Sequence, residues 1–509
     1  MRRSFLTLSL VISFLLSLGQ TKLDQLDAYF GKALQDWEVP GMSIGIIVNG
    51  ELAWVKGYGV LEAGKAEKVD GKTQFAIASN SKAFTATALG MLVEAGKISW
   101  DDPVKMYLPD FELYDPWISH HMTIRDLLCH RVGFINFSGD VIWYKSERSA
   151  ADLLDQLKYV PKAAEFRTEY GYSNLMFMTA GEVIRVVTGK DWHTYVKETF
   201  FDPIGMKRTV TKTSQLKSGD NVATPHKPQD GKNLPIAWTN WDNMGSAGSI
   251  ISSAEDMLSW LQLHLEHGKL KGETLFAEGT QEEMWKPHNA LKVNTLQRKI
   301  YPRTFAAYGL GWHMFDHEGH KVITHGGGYD GMYSRVGMVP DQGLGYVILT
   351  NSMKGISSYL AYKILDTFLE GGNKDWSQMG LARQKQGDAN RVERVAKRKA
   401  ARVSGTQPLS KEADMLGTYQ DELYGAAIRI EKNAQGELML HFDQAPALSA
   451  RLTHWHYNTF QINWLETHAW FDFGTMQFVT DHQHRITGLE FDVPNDDIFF
   501  HEIHAKKVP

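Results

Sequence analysis

The sequence predicts an α+β chain: an antiparallel sheet flanked by helices and carrying a helical subdomain, followed by a small all-β barrel. Three observations lead to that class. Strand patterns stand at both ends of the stretch 41–350, with helical patterns between them. An antiparallel sheet whose strands come from both ends of a domain, with helices packed on it, fits that order. From about Ala413 apolar and polar residues alternate with period two, and aromatics are frequent.

Taken in order, "MRRSFLTLSLVISFLLSLGQT" has Arg2 and Arg3 before an apolar run, Phe5 to Leu18, and small residues at Ser17-Leu18-Gly19. The run falls short of the ~20 residues that span a bilayer, so it reads as a cleaved export leader over 1–19. The product is then exported, periplasmic or secreted, with no integral membrane segment after leader removal. Leu23, Leu26, Phe30, Leu34 and Trp37 recur at helical spacing, and Pro40-Gly41 ends that helix. "MSIGIIVNGELAWVKGYGV" reads as two strands joined at Asn49-Gly50, because both turn residues tolerate positive φ. Helical patterns then run from Ser79 to about Leu265. Strands return at "YGLGWHMF", "HKVITHGGG" and "GYVILTN", before the amphipathic "ISSYLAYKILDTFLEGG".

The first domain therefore spans 20–372. Residues 373–412 form a linker, whose basic part from Gln384 to Pro408 is partly helical, and 413–509 form the barrel. The chain has 509 residues and a net charge of -5, without the basic footprint a nucleic-acid partner requires. Cys129 is the only cysteine, so no intrachain disulfide forms; it lies on the apolar side of "TIRDLLCHRVGF" and reads as a buried small hydrophobe.

Chemistry-bearing residues stand in three segments. In "ASNSKAF", a helix starting at Ser79 places Ser79 and Lys82 on one face, whereas Ser81 points elsewhere. Free N–H groups and the positive dipole end at a helix start stabilise an oxyanion. A lysine buried there loses its charge more easily and can take the serine proton. Taken alone, Ser79 reads better as an N-cap, and it needs partners to read as a nucleophile. In "EYGYSNLMF", Tyr172 and Asn174 sit at the mouth of a second helix. A tyrosine beside an ammonium is expected to have a lowered pKa, and Asn174 offers an amide to a substrate carbonyl. Tyr170 reads as a core residue. In "ITHGGGYDG", His325 precedes Gly326, Gly327 and Gly328, glycines of the kind that let a ligand approach backbone. The N–H groups of Gly328 and Ser79 would form an oxyanion hole.

With these segments in place the sequence resembles the penicillin-recognising serine hydrolases: class C β-lactamases, D,D-peptidases, D-aminopeptidases and related esterases. Ser79-x-x-Lys82, Tyr172-Ser173-Asn174 and His325-Gly326-Gly327 match in order and spacing. "FFDPIGMKRT", "SAGSIISSAEDMLSWL" and "YGLGW" also resemble segments of that family. The resemblance implies a β-lactamase/transpeptidase-like fold with Ser79 as the acylated nucleophile. It implies that Lys82 and Tyr172 share acid–base work, and that Asn174, His325 and Gly327 contact substrate. The tail resembles the lipocalin-like barrel appended to some of these hydrolases. No cofactor and no metal are expected, and the partner is a small-molecule or peptide substrate. Self-association into a homo-oligomer is compatible with the sequence.

In the family the sequence resembles, the third motif usually begins with lysine or histidine, and β-lactamases and D,D-peptidases commonly use lysine. His325 is largely neutral near pH 7, which removes a fixed charge that would hold a β-lactam carboxylate. The expected activity is therefore hydrolysis of amides or esters, in peptides containing D-amino acids or in short esters. The alternatives are a β-lactamase, or a penicillin-binding sensor or scaffold that deacylates slowly.

Overall fold

The computed structural model describes residues 21–217, 219–301 and 303–509. The leader expected over 1–19 lies outside them. Helix α1 (21–36) precedes the hairpin of β1 (Gly41–Val48) and β2 (Glu51–Gly59), whose turn residues Asn49 and Gly50 have φ of 55° and 78°. Helices α2 (Ser81–Glu94), α3 (Asn174–Thr188) and α4 (Ala254–Leu265) lead to a run of strands. These are β3 (Asn289–Ala290), β4 (Ala306–Tyr308), β5 (His313–His317), β6 (His320–Tyr329), β7 (Met332–Val339) and β8 (Leu344–Thr350). The sheet order is β2-β1-β8-β7-β6-β5-β4-β3, all antiparallel. Strands from both ends of the domain thus meet at β1 and β8.

Alternation along β6 and β7 divides the sheet into two faces. Ile323, Val336 and Met338 join α2, α3 and α4 in one core. Val322, Val339, Tyr346 and Ile348 join α1 and α5 (Ile356–Phe368) in the other. Strand β7 was not read as a separate strand from sequence, although Asp330-Gly331, with Gly331 at φ 82°, is the turn that joins it to β6.

The stretch expected as a linker is largely one helix, α6 (Trp376–Ala400). Its first turn is anchored: Trp376 Nε1 donates to Asp366 Oδ2 (2.6 Å), and Trp37 Nε1 donates to Ser377 Oγ (3.0 Å). Its last turn meets the C-terminal region, where Arg398 Nε donates to Asp492 Oδ2 (2.9 Å). Basic side chains there also complement the helix dipole.

The C-terminal region is a closed barrel of eight sequential strands. They are β9 (Gly417–Gln420), β10 (Ala427–Lys432), β11 (Leu438–Phe442), β12 (Ala450–His456), β13 (Thr459–Trp464), β14 (Gly474–Thr480), β15 (Ile486–Asp492) and β16 (His504–Lys507). Phe442, Phe491, Phe500 and Trp464 pack against one another within it, so its lumen is filled by side chains. Among the described residues no helix is long and apolar enough to cross a membrane.

Candidate active site

Strand β6 runs past the end of β5. The two pair only from His313–Thr324 to His317–His320, so His325 to Tyr329 have β7 on one side and a free edge on the other. The turn before α2 packs on this stretch. A Cβ on Gly327 would lie 2.2 Å from Ile77 O, so glycine is required for the contact. Ser334 Oγ donates to Ile77 O (2.7 Å), and Asn80 Nδ2 donates to Ser334 Oγ (2.8 Å), locking the turn to β7.

The helix starts two residues later than expected. Ala78–Asn80 form a 3₁₀ turn, and Ala78 has φ 47°, a costly conformation for a side chain with a Cβ. That bend leaves Ser79 partly exposed to the cavity while its neighbours are buried. Ser81 is turned away, and its Oγ accepts from Ile250 N (3.1 Å).

Lys82 is fully buried, and its Nζ has three oxygen neighbours: Asn174 Oδ1 at 2.7 Å, Ala247 O at 2.8 Å and Ser79 Oγ at 3.1 Å. Burial pushes the amine down to about 7, opposed by the Asp140 carboxylate. Asn174 and Ala247 present acceptors only. A neutral amine has two N–H bonds and one lone pair. In the neutral form the two N–H bonds go to Asn174 and Ala247 and the lone pair faces the Ser79 O–H, whereas the ammonium donates to all three oxygens.

Tyr172 lies against the same pair. Its ring centroid is 4.8 Å from Lys82 Nζ, and its hydroxyl faces Ser79 closely enough for that hydroxyl to lower its pKa. The expectation of a lowered pKa does not hold: burial raises it, and the Ser79 contact only partly offsets that. The phenol is a proton donor in this setting. His130 stacks beside it at 4.2 Å, with Nδ1 accepting from Ser173 N (3.0 Å).

Asn174 is engaged at both ends, because its Nδ2 also donates to Asp140 Oδ2 (2.6 Å). Its second N–H has no protein partner among the described residues. Burial pushes the Asp140 carboxyl up to about 8, and Oδ1 is buried without a partner. His325 Nδ1–H donates to Gly326 O (2.7 Å), so Nε2 accepts from the Tyr308 O–H (2.9 Å). Burial holds this imidazole neutral, with both nitrogens used internally.

Ser79, Tyr172, Asn174, His325, Gly327 and Gly328 line one cavity of about 750 Å³. Lys82 stands behind Ser79, its Nζ the third corner of the group.

Sequence reasoning missed several residues of this wall. Asp140 follows Gly139 (φ 79°) on a loop held from the barrel by Glu502. That carboxylate accepts from Ser138 Oγ (2.5 Å) and Gly139 N (2.8 Å). Trp470, Asp497 and Ile498 reach the cavity from barrel loops. Trp470 Cη2 lies 3.4 Å from where a Gly328 Cβ would be, and burial pushes the Asp497 carboxyl up to about 7. No local pattern marks these positions.

Comparison with known proteins agrees with this architecture. The family described as Beta-lactamase matches residues 26–367, and a domain of unknown function (DUF3471) matches residues 401–507. Unguisins hydrolase ungD of Aspergillus violaceofuscus is 29% identical over 451 residues, covering 82% of this chain and 78% of its own length. The octameric penicillin-binding protein homologue from Pyrococcus abyssi superposes with a TM-score of 0.61 at 19% identity, over 95% of this chain and all of the other. SurE, solved with D-Leu, gives a TM-score of 0.55 at 19% identity, over 96% and 100%.

Proposed function

This chain belongs to the Beta-lactamase family of serine hydrolases, and we propose that it cleaves amide or ester bonds through an acyl-enzyme on Ser79. One observation carries the reading: Lys82 Nζ gives both N–H bonds to Asn174 and Ala247 when neutral, leaving its lone pair 3.1 Å from Ser79 Oγ. Lys82 takes the Ser79 proton as Oγ attacks the substrate carbonyl carbon. The N–H groups of Ser79 and Gly328 receive the oxyanion. Collapse breaks the bond to the leaving group, which takes its proton from the Tyr172 hydroxyl; the Lys82 ammonium then gives the proton it took from Ser79 to the neighbouring Tyr172 phenolate. A water then releases the acyl group by the reverse sequence. The free N–H of Asn174 holds a substrate carbonyl, while His325 and Gly327 shape the wall.

The substrate class we propose is a peptide containing D-amino acids, or a short ester. The neighbour solved with D-Leu motivates the first, and the relative named as an unguisins hydrolase supports hydrolysis. The apolar run after Arg2 and Arg3 supports export.

A panel of D- and L-aminoacyl peptides, p-nitrophenyl esters and nitrocefin, assayed with wild type and Ser79→Ala, tests the reading. Peptide or ester turnover should exceed nitrocefin turnover in kcat/KM and fall by about a thousandfold or more in Ser79→Ala. Turnover that survives Ser79→Ala would refute it.

A further inference from the structure

The cavity does not stop at Ser79. It passes around the free edge of β6 to the opposite face of the sheet, where Arg303, His313, Thr324, Arg335, Tyr346 and Tyr362 line it. Arg335 stands opposite Gly326 in the β6–β7 ladder. A Cβ on Gly326 would lie 2.8 Å from Arg335 Nη2, so the bare glycine lets the guanidinium lie across the strand at its free edge. Arg303 lies over the rings of Tyr301 (5.1 Å) and Phe315 (5.5 Å).

Neither guanidinium has an ion-pair partner among the described residues, and the Nε of each is buried without a hydrogen bond. The contrast within the same chain is sharp. Arg125, Arg131 and Arg167 each meet a carboxylate: Asp101 for the first, Asp126 for the other two. Burial, reinforced by the two neighbouring arginines, pushes His313 down to about 3, so it stands beside them as a neutral imidazole. The first turn of α5 also lines the chamber, adding the positive end of a helix dipole. Both arginines are half-buried, but a buried Nε–H without an acceptor is costly, and the planar fork of arginine matches a carboxylate in two parallel bonds.

We propose that Arg335, backed by Arg303, binds a carboxylate carried by the substrate, seated around the free edge of β6 from Ser79. The placement of the rest of the ligand rests on the reading of Ser79 as nucleophile; the carboxylate site does not. An extended peptide adding to the free edge turns a group toward the Gly326 face, where Arg335 waits. The fixed charge that His325 lacks is thus supplied from the neighbouring strand. Substrates ending in a carboxylate are within the enzyme's range, and C-terminal amides are disfavoured.

The test is direct binding by calorimetry to Ser79→Ala protein, which reports without turnover. The probes are N-acetyl-D-alanine, its C-terminal amide, and acetate as a free anion. N-acetyl-D-alanine should bind about tenfold or more tighter than either of the others, as charge-assisted bonds to arginine require. Arg335→Gln should abolish that difference while leaving affinity for the amide unchanged, which also reports an intact fold. Arg303→Gln should narrow the difference, and Arg335→Lys should keep part of it. Equal binding of acid and amide, acetate binding as tightly as the acid, or an acid preference that survives Arg335→Gln would each overturn the proposal. A chain that fails the Ser79 turnover test yet passes this one would lose the hydrolase reading and keep the site.

Discussion

In the proposed mechanism Ser79 is activated by the amine one turn away, which burial helps to keep neutral. The sign of the pH dependence follows. Below about 7 Lys82 holds its proton and cannot accept from Ser79, so acylation slows; above it the lone pair is free. The rate of Ser79 labelling by a fluorophosphonate should therefore rise with pH through about 7 and level off. The Asp140 carboxyl, pushed up to about 8 by its own burial, is largely protonated where Lys82 titrates, so Asp140→Asn should leave the midpoint of the rise nearly unchanged. Tyr172 is set for a different step. With its phenol raised by burial, Tyr172→Phe should lower the acylation rate for a peptide by about 10²–10³, while the acylation burst with an activated ester, whose leaving group needs no proton, slows by less than about tenfold. Stopped-flow comparison of the two substrates checks it.

Two neighbouring glycines on β6 answer to different constraints. A Cβ on Gly327 meets backbone, Ile77 O at 2.2 Å, whereas one on Gly326 meets only the end of the flexible Arg335 side chain at 2.8 Å. Gly327→Ala should cost roughly 1–3 kcal/mol, the usual penalty of overpacking, seen as a fall in Tm together with loss of Ser79 labelling. Gly326→Ala should leave Tm and labelling near wild type and weaken only discrimination between acid and amide. The sequence made both glycines legible as a strand edge near a ligand, and the Asn49-Gly50 hairpin and the pairing of Ser79 with Lys82 were legible from spacing alone. Other features were not. The strand holding Arg335 reads as part of a loop after three glycines, although Asp330-Gly331 marks its turn. Asp140 owes its position to a loop whose partner, Glu502, is hundreds of residues away. The direction of the Tyr172 shift turns on a balance between burial and charge that only packing decides.

At the scale of the whole chain, the barrel is part of the active-site wall. It contributes Trp470, Asp497 and Ile498 to the cavity, and Glu502 holds the Asp140 loop. The contact is fastened from the hydrolase side by Lys227, whose buried ammonium donates to Phe471 O (3.1 Å), His468 O and Asp472. Lys227→Met leaves those acceptors without their donor, at the cost of burying unsatisfied polar groups. Hydrogen exchange in residues 466–473 should then speed up by about tenfold, with little change in the helices around Ser79. Because Trp470 rides on that segment, KM for a peptide should rise more than kcat falls. Unchanged exchange would mean that the barrel loop is held by other contacts.

The central claim is a covalent bond to one hydroxyl, and mass spectrometry reads it directly. Protein quenched during turnover of p-nitrophenyl acetate should carry a single acetyl group on the peptide containing Ser79, and Ser79→Ala protein should carry none. An acetyl group on any other side chain during turnover, or turnover without one, would contradict the account.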